Sequence, residues 1–493
     1  MYVRVSAASL AALAVAGVCS NADASIPSVV YSTIPTHDSS LLPGSATERV
    51  TNLNYPFRSG SGNYWTARFQ TDAATTNGGN QVFVRTGALG GESLLRGNTG
   101  VPGLTGELFS TLDPQVRVND SGEVAFSFRS RPGTTGAQEY NIGRLDSGGN
   151  FSLVARGGES FPLISGATYG RVGDAVITND GRVGFQASHV TGVDEWTEQA
   201  VVLGDDILAR KGFTIPTGQS GGQTTPYGGP NLFQGFNSLF LRVTPDGSSW
   251  MTGAKVDRLD EGGTNQVYGI VVDNHMVLEE DLPILGTPDT KLQELNAYPT
   301  LGPDGTWYAR VFDQDPMNRF NVRDQFLIRD GEVLHRNGTA VPGGAPGEQF
   351  DRIAPNNGIV FFNIQGNANG DYYFTAATDH ENPALRQVLV LNNEEVVLRS
   401  GDEVDLDGDG VGDDLFIHAF GGSEIDGAAF YDTGFLTDDM TFLLRVVLRD
   451  EAIPAGTANI VGQAYITYQI PEPGSALAAL GLAGGLLLRR RRG

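Results

Sequence analysis

The sequence predicts an all-β fold of tandem repeats, each about 60 residues long, arranged as a seven-bladed β-propeller. Two landmarks recur in step: a polar turn ending in glycine before an aromatic-rich strand, and an apolar strand before a loop rich in glycine and proline. No helical stretch of three turns stands out between them. Glycine makes up 66 of 493 residues and is spread along the chain, which indicates many turns rather than one flexible linker.

The first landmark is clearest at Asn119-Asp120-Ser121-Gly122, which precedes the strand residues Glu123 to Phe126. Asn and Asp side chains bond to their own backbone, and glycine adopts the positive φ that such a turn requires. The other turn glycines are Gly62, Gly181, Gly247, Gly305, Gly370 and Gly427. Successive turn glycines are 57 to 66 residues apart, which sets the length of one repeat.

The second landmark ends each repeat with an apolar strand that usually finishes in arginine. These arginines are Arg96, Arg156, Arg210, Arg336, Arg399 and Arg449, and Glu279-Glu280 stands in the equivalent place of the fourth copy. Further short strands lie between the landmarks, so each repeat offers about four strands, as a propeller blade does. Pairing of residues 458–470 with the N-terminal stretch would close the ring. An open repeat array and several β-sandwiches are the alternatives.

The turn and strand together carry a resemblance to a known repeat class. The residues from Asn119 to Phe126 match the NxxGxxAF tandem-repeat pattern of exported bacterial proteins. The copies at Gly181, Gly247 and Gly305 change the Ala-Phe pair. The class implies an architecture and a C-terminal anchor, and it brings no assigned activity with it.

The N-terminus has the pattern of a secretory signal peptide over residues 1–24. Arg4 provides a basic start, residues 7–18 are largely apolar, and Ala22-Asp23-Ala24 is a cleavage signal, so that Ser25 begins the mature chain. A lipoprotein signal at Cys19 is disfavoured because Val18 precedes it. Cys19 is the only cysteine, so the mature protein has no disulfide and depends on a packed core.

The C-terminus, residues 471–493, is the third segment after the signal peptide and a repeat domain over residues 25–470. Pro471, Glu472 and Pro473 end the last strand, an apolar run follows over residues 475–488, and four arginines occupy positions 489–492. As a helix the run would be ~21 Å long, short for a hydrocarbon core of ~30 Å. A short apolar helix before a basic stop favours a transient address over a permanent transmembrane helix.

This three-part tail resembles the PEP-CTERM sorting signal of Gram-negative bacteria. The resemblance implies an exosortase-like partner that removes the tail, transient anchoring in the inner membrane, and a final location at the cell surface or in an extracellular matrix of polysaccharide or biofilm. A plain C-terminal anchor is the alternative. Either interpretation places the repeat domain outside the cytoplasm.

The formal net charge of −24 limits the partners of the chain. An acidic exported domain is a poor nucleic-acid binder and is repelled by anionic lipid, so a membrane contact is expected only through the C-terminal segment. Acidic surfaces suit divalent cations, and through them extracellular polysaccharide. The alternative is that the charge only provides solubility.

One acidic stretch has the spacing of a calcium loop. Asp405, Asp407, Asp409 and Asp413 alternate with residues that include Gly408, Gly410 and Gly412, and hard cations such as Ca²⁺ need oxygen ligands at ~2.3–2.6 Å. The stretch resembles the first half of an EF-hand loop and the Asp-rich repeats of thrombospondin type 3.

The resemblance implies side-chain ligands from Asp405, Asp407 and Asp409, a carbonyl ligand from Val411, and a direct or water-mediated ligand from Asp413. Phe416 stands where an EF-hand has its bidentate glutamate, and Asp414 is the candidate replacement. The alternative is a solvated acidic turn.

The loop occupies the place of the Gly/Pro loops, which a propeller gathers on one face. Arg96, Arg156, Arg210, Arg336 and Arg399 precede these loops and could form a ring for an anionic ligand. The favoured alternative pairs each arginine with an acidic residue of its own blade.

No catalytic signature is convincing. Ser220 fits G-x-S-x-G by letter but lacks a strand-turn-helix context, and the histidines show no metal-binding spacing. The sequence therefore favours a non-catalytic binding or structural role at the cell surface. The alternative is an extracellular glycan-active hydrolase or lyase on a propeller, which requires facing carboxylates in one pocket.

Overall fold

The computed structural model describes most of the repeat domain. The described residues are 26–87, 90–133, 136–190, 198–211, 217–218, 224–227, 241–260, 263–284, 286–292, 299–315, 318–351, 359–420, 434–450 and 460–470. The signal peptide with Ala24 and Ser25, the tail with Pro471, Glu472 and Pro473, and Ser220 lie outside them. Within the described part, no helix is long and apolar enough to cross a membrane.

Seven sheets of four to six strands, antiparallel except for one short parallel pairing in blade four, confirm the all-β, seven-bladed propeller. The N-terminal strand is β1 (Ser28–Ser32). Blade one has β2 (Val50–Leu53), β3 (Phe57–Arg58), β4 (Trp65–Thr71), β5 (Gln81–Gly87) and β6 (Gly90–Arg96). Blade two has β7 (Glu107–Val118), β8 (Val124–Pro132), β9 (Glu139–Leu145) and β10 (Phe151–Arg156). Blade three has β11 (Thr168–Ile177), β12 (Val183–Val190), β13 (Glu198–Leu203) and β14 (Asp206–Arg210).

In the remaining blades the chain order of the strands also runs from the inner to the outer strand of the blade, except for the first strand of blade four. Blade four has β15 (Thr217–Gly218), β16 (Thr224–Tyr227), β17 (Leu241–Val243), β18 (Trp250–Asp260), β19 (Gly263–Val272) and β20 (His275–Glu279), with β15 added on the outer edge, parallel to β20. Blade five has β21 (Thr300–Leu301), β22 (Trp307–Asp315), β23 (Asn318–Arg329) and β24 (Glu332–Arg336). Blade six has β25 (Phe361–Gly366), β26 (Tyr372–Ala377), β27 (Gln387–Leu391) and β28 (Glu395–Arg399). Blade seven has β29 (Glu403–Val404), β30 (Leu415–Phe420), β31 (Gly434–Leu436), β32 (Thr441–Arg449) and β33 (Ile460–Gln469).

Helical structure in the described part is limited to three 3-10 turns, at Asp38–Ser40, Thr76–Gly78 and Pro383–Leu385.

The ring closes as predicted, because the N-terminal strand β1 completes the last blade. β1 pairs antiparallel with β33, with Ser28 opposite Thr467 and Ser32 opposite Ala464. The two ends of the repeat domain are therefore held in one sheet.

The core is divided among the contacts between neighbouring blades. Seven clusters of buried apolar residues each join two adjacent blades, and one of them joins blade seven to blade one. In that cluster the Trp65 and Tyr465 rings meet edge to face at 5.4 Å. Middle strands such as β26, buried along its whole length, read as continuous apolar runs because both of their faces are covered.

The glycine turns connect the innermost strand of a blade to the next strand. Gly122, Gly181, Gly247, Gly305 and Gly370 all have positive φ, between 72° and 87°. In blade seven this turn is Thr437 to Thr441, and Met440 takes the positive φ of 64°. Gly427, which the sequence analysis assigned to the seventh copy, lies outside the described residues, and Arg449 ends the second strand of blade seven rather than its outermost strand.

The first residue of the turn decides whether its own side chain ties neighbouring blades together. The Oδ1 of Asn119 accepts from the backbone of its own turn, while its Nδ2 donates to the carbonyl of Thr178 in blade three at 3.0 Å. Asn367 does the same, with its Nδ2 donating to the carbonyl of Thr437 at 3.1 Å. Where threonine stands in this position, as at Thr244, its hydroxyl bonds to the aspartate of its own turn.

Candidate functional site

The acidic loop is a hairpin connection between β29 and β30 that is attached to the closing strand. Glu403 pairs with Phe416 and Val404 pairs with Leu415, which leaves residues 405–414 as the loop. The Asp405 amide donates to the Pro27 carbonyl at 2.9 Å, and the Asp405 carbonyl accepts from the Val29 amide at 2.8 Å. The loop therefore begins against the N-terminal segment that closes the ring.

Three of the predicted ligands come together. One carboxylate oxygen from each of Asp405, Asp407 and Asp413 lies within 4.8 Å of the others. Two oxygens bound to one Ca²⁺ at ~2.3–2.6 Å are no more than about 5 Å apart, so this group fits a calcium ion. Asp405 is buried, with 1% of its surface exposed, whereas Asp407 and Asp413 face solvent.

Backbone amides hold this group in place. Asp405 accepts from the amides of Gly408 at 2.6 Å and Gly410 at 2.9 Å, and from the Ser28 hydroxyl at 3.2 Å. Burial opposes the charged form of Asp405, but these hydrogen bonds outweigh it and lower its pKa. The carboxylate is therefore in the form that a cation requires.

The carboxylates of Asp409 and Asp414 are not part of this group, and the carbonyl ligand from Val411 stays a prediction. The Asp409 carboxylate accepts from the Val411 amide at 2.8 Å, and the side chain of Val411 is 62% exposed. The amide of Asp414 donates to Glu403 at 3.1 Å. Sequence reasoning missed Glu403, whose carboxylate lies so close to Gly412 that a Cβ there would overlap it. Glu403 stands two residues before Asp405 and continues the alternation of acidic residues, so the sequence contained a signal that could have identified it.

The proposed arginine ring is wrong, and the pairing alternative holds for four of its members. Arg96 binds Glu48, Arg156 binds Glu107, Arg336 binds Asp324 and Arg399 binds Glu348, with distances of 2.5 to 2.7 Å. Each partner belongs to the same repeat. In three of these pairs a hydroxyl also donates to the glutamate, from Thr71, Ser130 and Thr378 respectively. The three arginines that bind glutamates therefore anchor the end of a blade to its own start, whereas Arg336 binds the neighbouring strand β23.

Two carboxyl groups lie on the innermost strands, at irregular points of blades two and three. Asp113 lies where the pairing of β7 shifts between Leu112 and Val116, and Asp174 where that of β11 shifts between Gly173 and Val176. Asp174 has a positive φ of 56°. Burial, reinforced by the charge of Asp113, raises the pKa of Asp174 to about 7, although three arginines oppose the shift: Arg242, Arg117 and Arg171.

Comparison with known proteins gives a partial family match and likenesses in fold. Residues 22–212 match the model of a family of unknown function (DUF7453). No curated protein matches the chain.

Three solved propellers illustrate the structural likeness. The propeller domain of the Trilobed protease from Pyrococcus furiosus is 9% identical, with a TM-score of 0.36 over 83% of this chain and 94% of that one. Pyrococcus horikoshii acylaminoacyl peptidase is 11% identical, with a TM-score of 0.36 over 87% of this chain and 53% of that one. Trypanosoma rangeli sialidase is 10% identical, with a TM-score of 0.29 over 92% of this chain and 59% of that one. This chain thus spans about half the length of the peptidase.

Proposed function

We propose that this protein is an exported, non-catalytic propeller of the cell surface or extracellular matrix. In this proposal its 405–414 loop binds Ca²⁺ and, through it, contributes to binding anionic extracellular polysaccharide. The observation that carries the proposal is the convergence of Asp405, Asp407 and Asp413 beside the closing strand. Glu403 is a further carboxylate within reach of the same loop.

Calcium would supply charge neutralisation at a place where three carboxylates otherwise repel one another. Because Asp405 is bonded on both sides to the segment before and within β1, a more rigid loop holds the closing strand more firmly. A ligand that binds only the folded state stabilises it by RT ln(1 + [L]/Kd), ~2.7 kcal/mol at a hundredfold excess over Kd. The calcium-free protein is therefore expected to open first at the β1–β33 pairing.

Export and sorting complete the proposal. The residue pattern over 1–24 supports export, and Pro471-Glu472-Pro473 with the apolar run and the arginines supports recognition by an exosortase-like enzyme after transient anchoring in the inner membrane. Mass spectrometry of the protein from the producing cell should find a chain that begins at Ser25 and lacks the arginine tail. A mature protein that keeps the tail would contradict the sorting step, and one that keeps residues 1–24 would contradict export.

The calcium site is tested by thermal unfolding with Ca²⁺ and with a chelator. The melting temperature of the parent should rise with Ca²⁺, and the Asp407→Asn/Asp413→Asn double variant should respond little. A charge-matched control is Asp205→Asn/Asp206→Asn, which alters two exposed acids where the β13–β14 turn leads into β14 and should respond like the parent. Equal responses from all three proteins would place the binding elsewhere, and no response from the parent would contradict calcium binding.

The binding role is tested by cosedimentation with a polyuronate and with a neutral glucan. Calcium-dependent retention on the polyuronate, lost in the Asp407→Asn/Asp413→Asn variant and kept in the control, is the expected result. Retention that is equal with Ca²⁺ and with chelator would contradict cation-mediated binding.

A second candidate, an extracellular glycan-active hydrolase or lyase, is favoured by one observation. Asp174 combines a pKa of about 7 with a second carboxylate, Asp113, near enough to raise that pKa. A general acid that is partly protonated near neutral pH is what glycoside cleavage needs. Release of reducing ends from a panel of polysaccharides, abolished by Asp174→Asn, would support this candidate, and absence of release by the parent would contradict it.

A further inference from the structure

The central channel contains a basic cavity, although the protein is strongly acidic. A cavity of about 120 Å³ is lined by residues from all seven blades, including Arg58, Arg117 and Arg242. No aspartate or glutamate is among its described lining residues. Acidic residues outnumber lysine and arginine by 57 to 33 in the whole chain. A lining with three arginines and no carboxylate is therefore the opposite of what the acidic composition of the chain would lead one to expect.

Arg58 lies deep in the wall of the cavity. Its side chain is 9% exposed, and its Nη1 donates to the Leu436 carbonyl and lies 3.7 Å from an oxygen of Asp438. Its Nη2 is buried and has no hydrogen-bond partner among the described residues. Burial lowers the pKa of Arg58, and Asp438 is the principal charge that opposes the shift. A buried guanidinium with an unused donor is costly unless an acceptor completes it.

The other two arginines are held in place by contacts with residues beside them in the channel. The guanidinium of Arg117 lies over the Phe57 ring at 3.8 Å, and the Nη1 of Arg242 donates to the Leu241 carbonyl at 3.1 Å. Both also attract Asp174, which is not among the lining residues of the cavity. Guanidinium groups fixed in this way bind oxyanions well, because they lose little side-chain freedom on binding.

We infer that this cavity binds one oxyanion group, a carboxylate, sulfate or phosphate, with Arg58, Arg117 and Arg242 as its donors. A water molecule occupies about 30 Å³ in the liquid, so a cavity of about 120 Å³ has room for one such group but not for an oligosaccharide. The group is either a free inorganic anion or the acidic end of a larger molecule such as a uronate. The inference does not rest on export or on the calcium loop.

Calorimetric titration at low ionic strength, with chelator present throughout, tests the inference. The probes are sodium sulfate, glucuronate and, as a neutral counterpart, glucose. Sulfate or glucuronate should bind and glucose should not. Tighter binding of glucuronate identifies the acidic end of a saccharide as the ligand, whereas equal or tighter binding of sulfate identifies a free inorganic anion.

Variants assign the binding to the cavity. Arg242→Gln and, separately, Arg117→Gln should weaken binding of the better probe by roughly tenfold or more, because a hydrogen bond to a charged group is lost. The control is Arg182→Gln, which removes an exposed arginine that pairs with Asp180 in its own turn and should leave affinity unchanged. Circular dichroism and melting temperature establish that each variant is folded.

Two results would overturn the inference. One is that the folded parent binds neither sulfate nor glucuronate. The other is that both folded channel variants, Arg242→Gln and Arg117→Gln, bind as tightly as the parent. Because chelator is present, these results leave the calcium proposal untouched, and loss of the calcium response leaves the anion site untouched.

Discussion

Glu348 provides a quantitative test of how the blades are anchored. Its carboxylate accepts from both Nη atoms of Arg399, at 2.7 and 3.0 Å, from the Thr378 hydroxyl at 2.6 Å and from the Ala345 amide at 2.9 Å. Only 2% of its side chain is exposed. Burial alone would raise its pKa, but these donors outweigh burial and lower the pKa of Glu348 to about 2.

The shift gives both a magnitude and a direction in pH. A carboxyl group whose pKa falls on folding stabilises the protein fully above its unfolded pKa, ordinarily 4.5, and loses that contribution as the pH falls towards 2. The difference between the two pKa values corresponds to about 3 kcal/mol at pH 7 and about 1 kcal/mol at pH 3. Glu348→Gln keeps the shape of the side chain, removes its charge and leaves Arg399 without its anion.

Urea unfolding of the parent and the variant measures this contribution. The free energy of unfolding should fall by about 3 kcal/mol at pH 7 in Glu348→Gln, and the gap between the proteins should narrow to about 1 kcal/mol at pH 3. Glu395→Gln is the control, because Glu395 is exposed at the start of β28 in the same blade and should change little. A gap of equal size at both pH values would refute the electrostatic account and indicate a loss of packing instead.

Two further predictions concern the turns and the channel. Asn119→Asp removes the Nδ2 donor to the Thr178 carbonyl and places a new negative charge next to Glu123. The free energy of unfolding, measured with urea at pH 7, should therefore fall by about 2 to 3 kcal/mol. A fall of less than about 0.5 kcal/mol would contradict the tie between blades. The pKa of Asp174 is about 7, raised above its ordinary 3.8, so the stability of the parent should decline by about 4 kcal/mol at most as the pH rises from 4 through 7. Asparagine tolerates the positive φ at position 174, so the stability of Asp174→Asn should not decline in this way as the pH rises. A decline that persists in the variant would show that another group titrates.

The repeat could be predicted because the turn needs particular residues. A positive φ favours glycine, and a flanking Asn, Asp, Ser or Thr bonds to the turn backbone, so six copies carry a similar signal. The seventh copy was misplaced because Met440 takes the position of the glycine. Thr437 and Thr441 still make the backbone hydrogen bond of the turn, so the signal that remained was the Thr-x-Asp at its start.

The anchoring pairs could also have been read from the sequence, although only the alternative interpretation anticipated them. Arg96, Arg156 and Arg399 follow their glutamates by 48, 49 and 51 residues. An interval that recurs once per repeat indicates partners in the same blade, since a ring of free arginines would need no periodic acid. The arginine at the end of each repeat therefore indicates a contact that stabilises the blade and not a ligand site.

The channel cations were not identified from the sequence, although the repeat places them at equivalent positions and the closed ring brings them to one cavity. Arg58, Arg117 and Arg242 come from three blades and stand four or five residues before the turn glycines Gly62, Gly122 and Gly247. The repeat therefore places all three on innermost strands, which are interrupted or irregular in these blades. They become neighbours only when β1 closes blade seven onto blade one. The 405–414 loop holds the segment that makes this closure, so both proposed sites depend on the closure of the ring. Loss of the β1–β33 pairing would weaken the walls of the cavity before any arginine is changed.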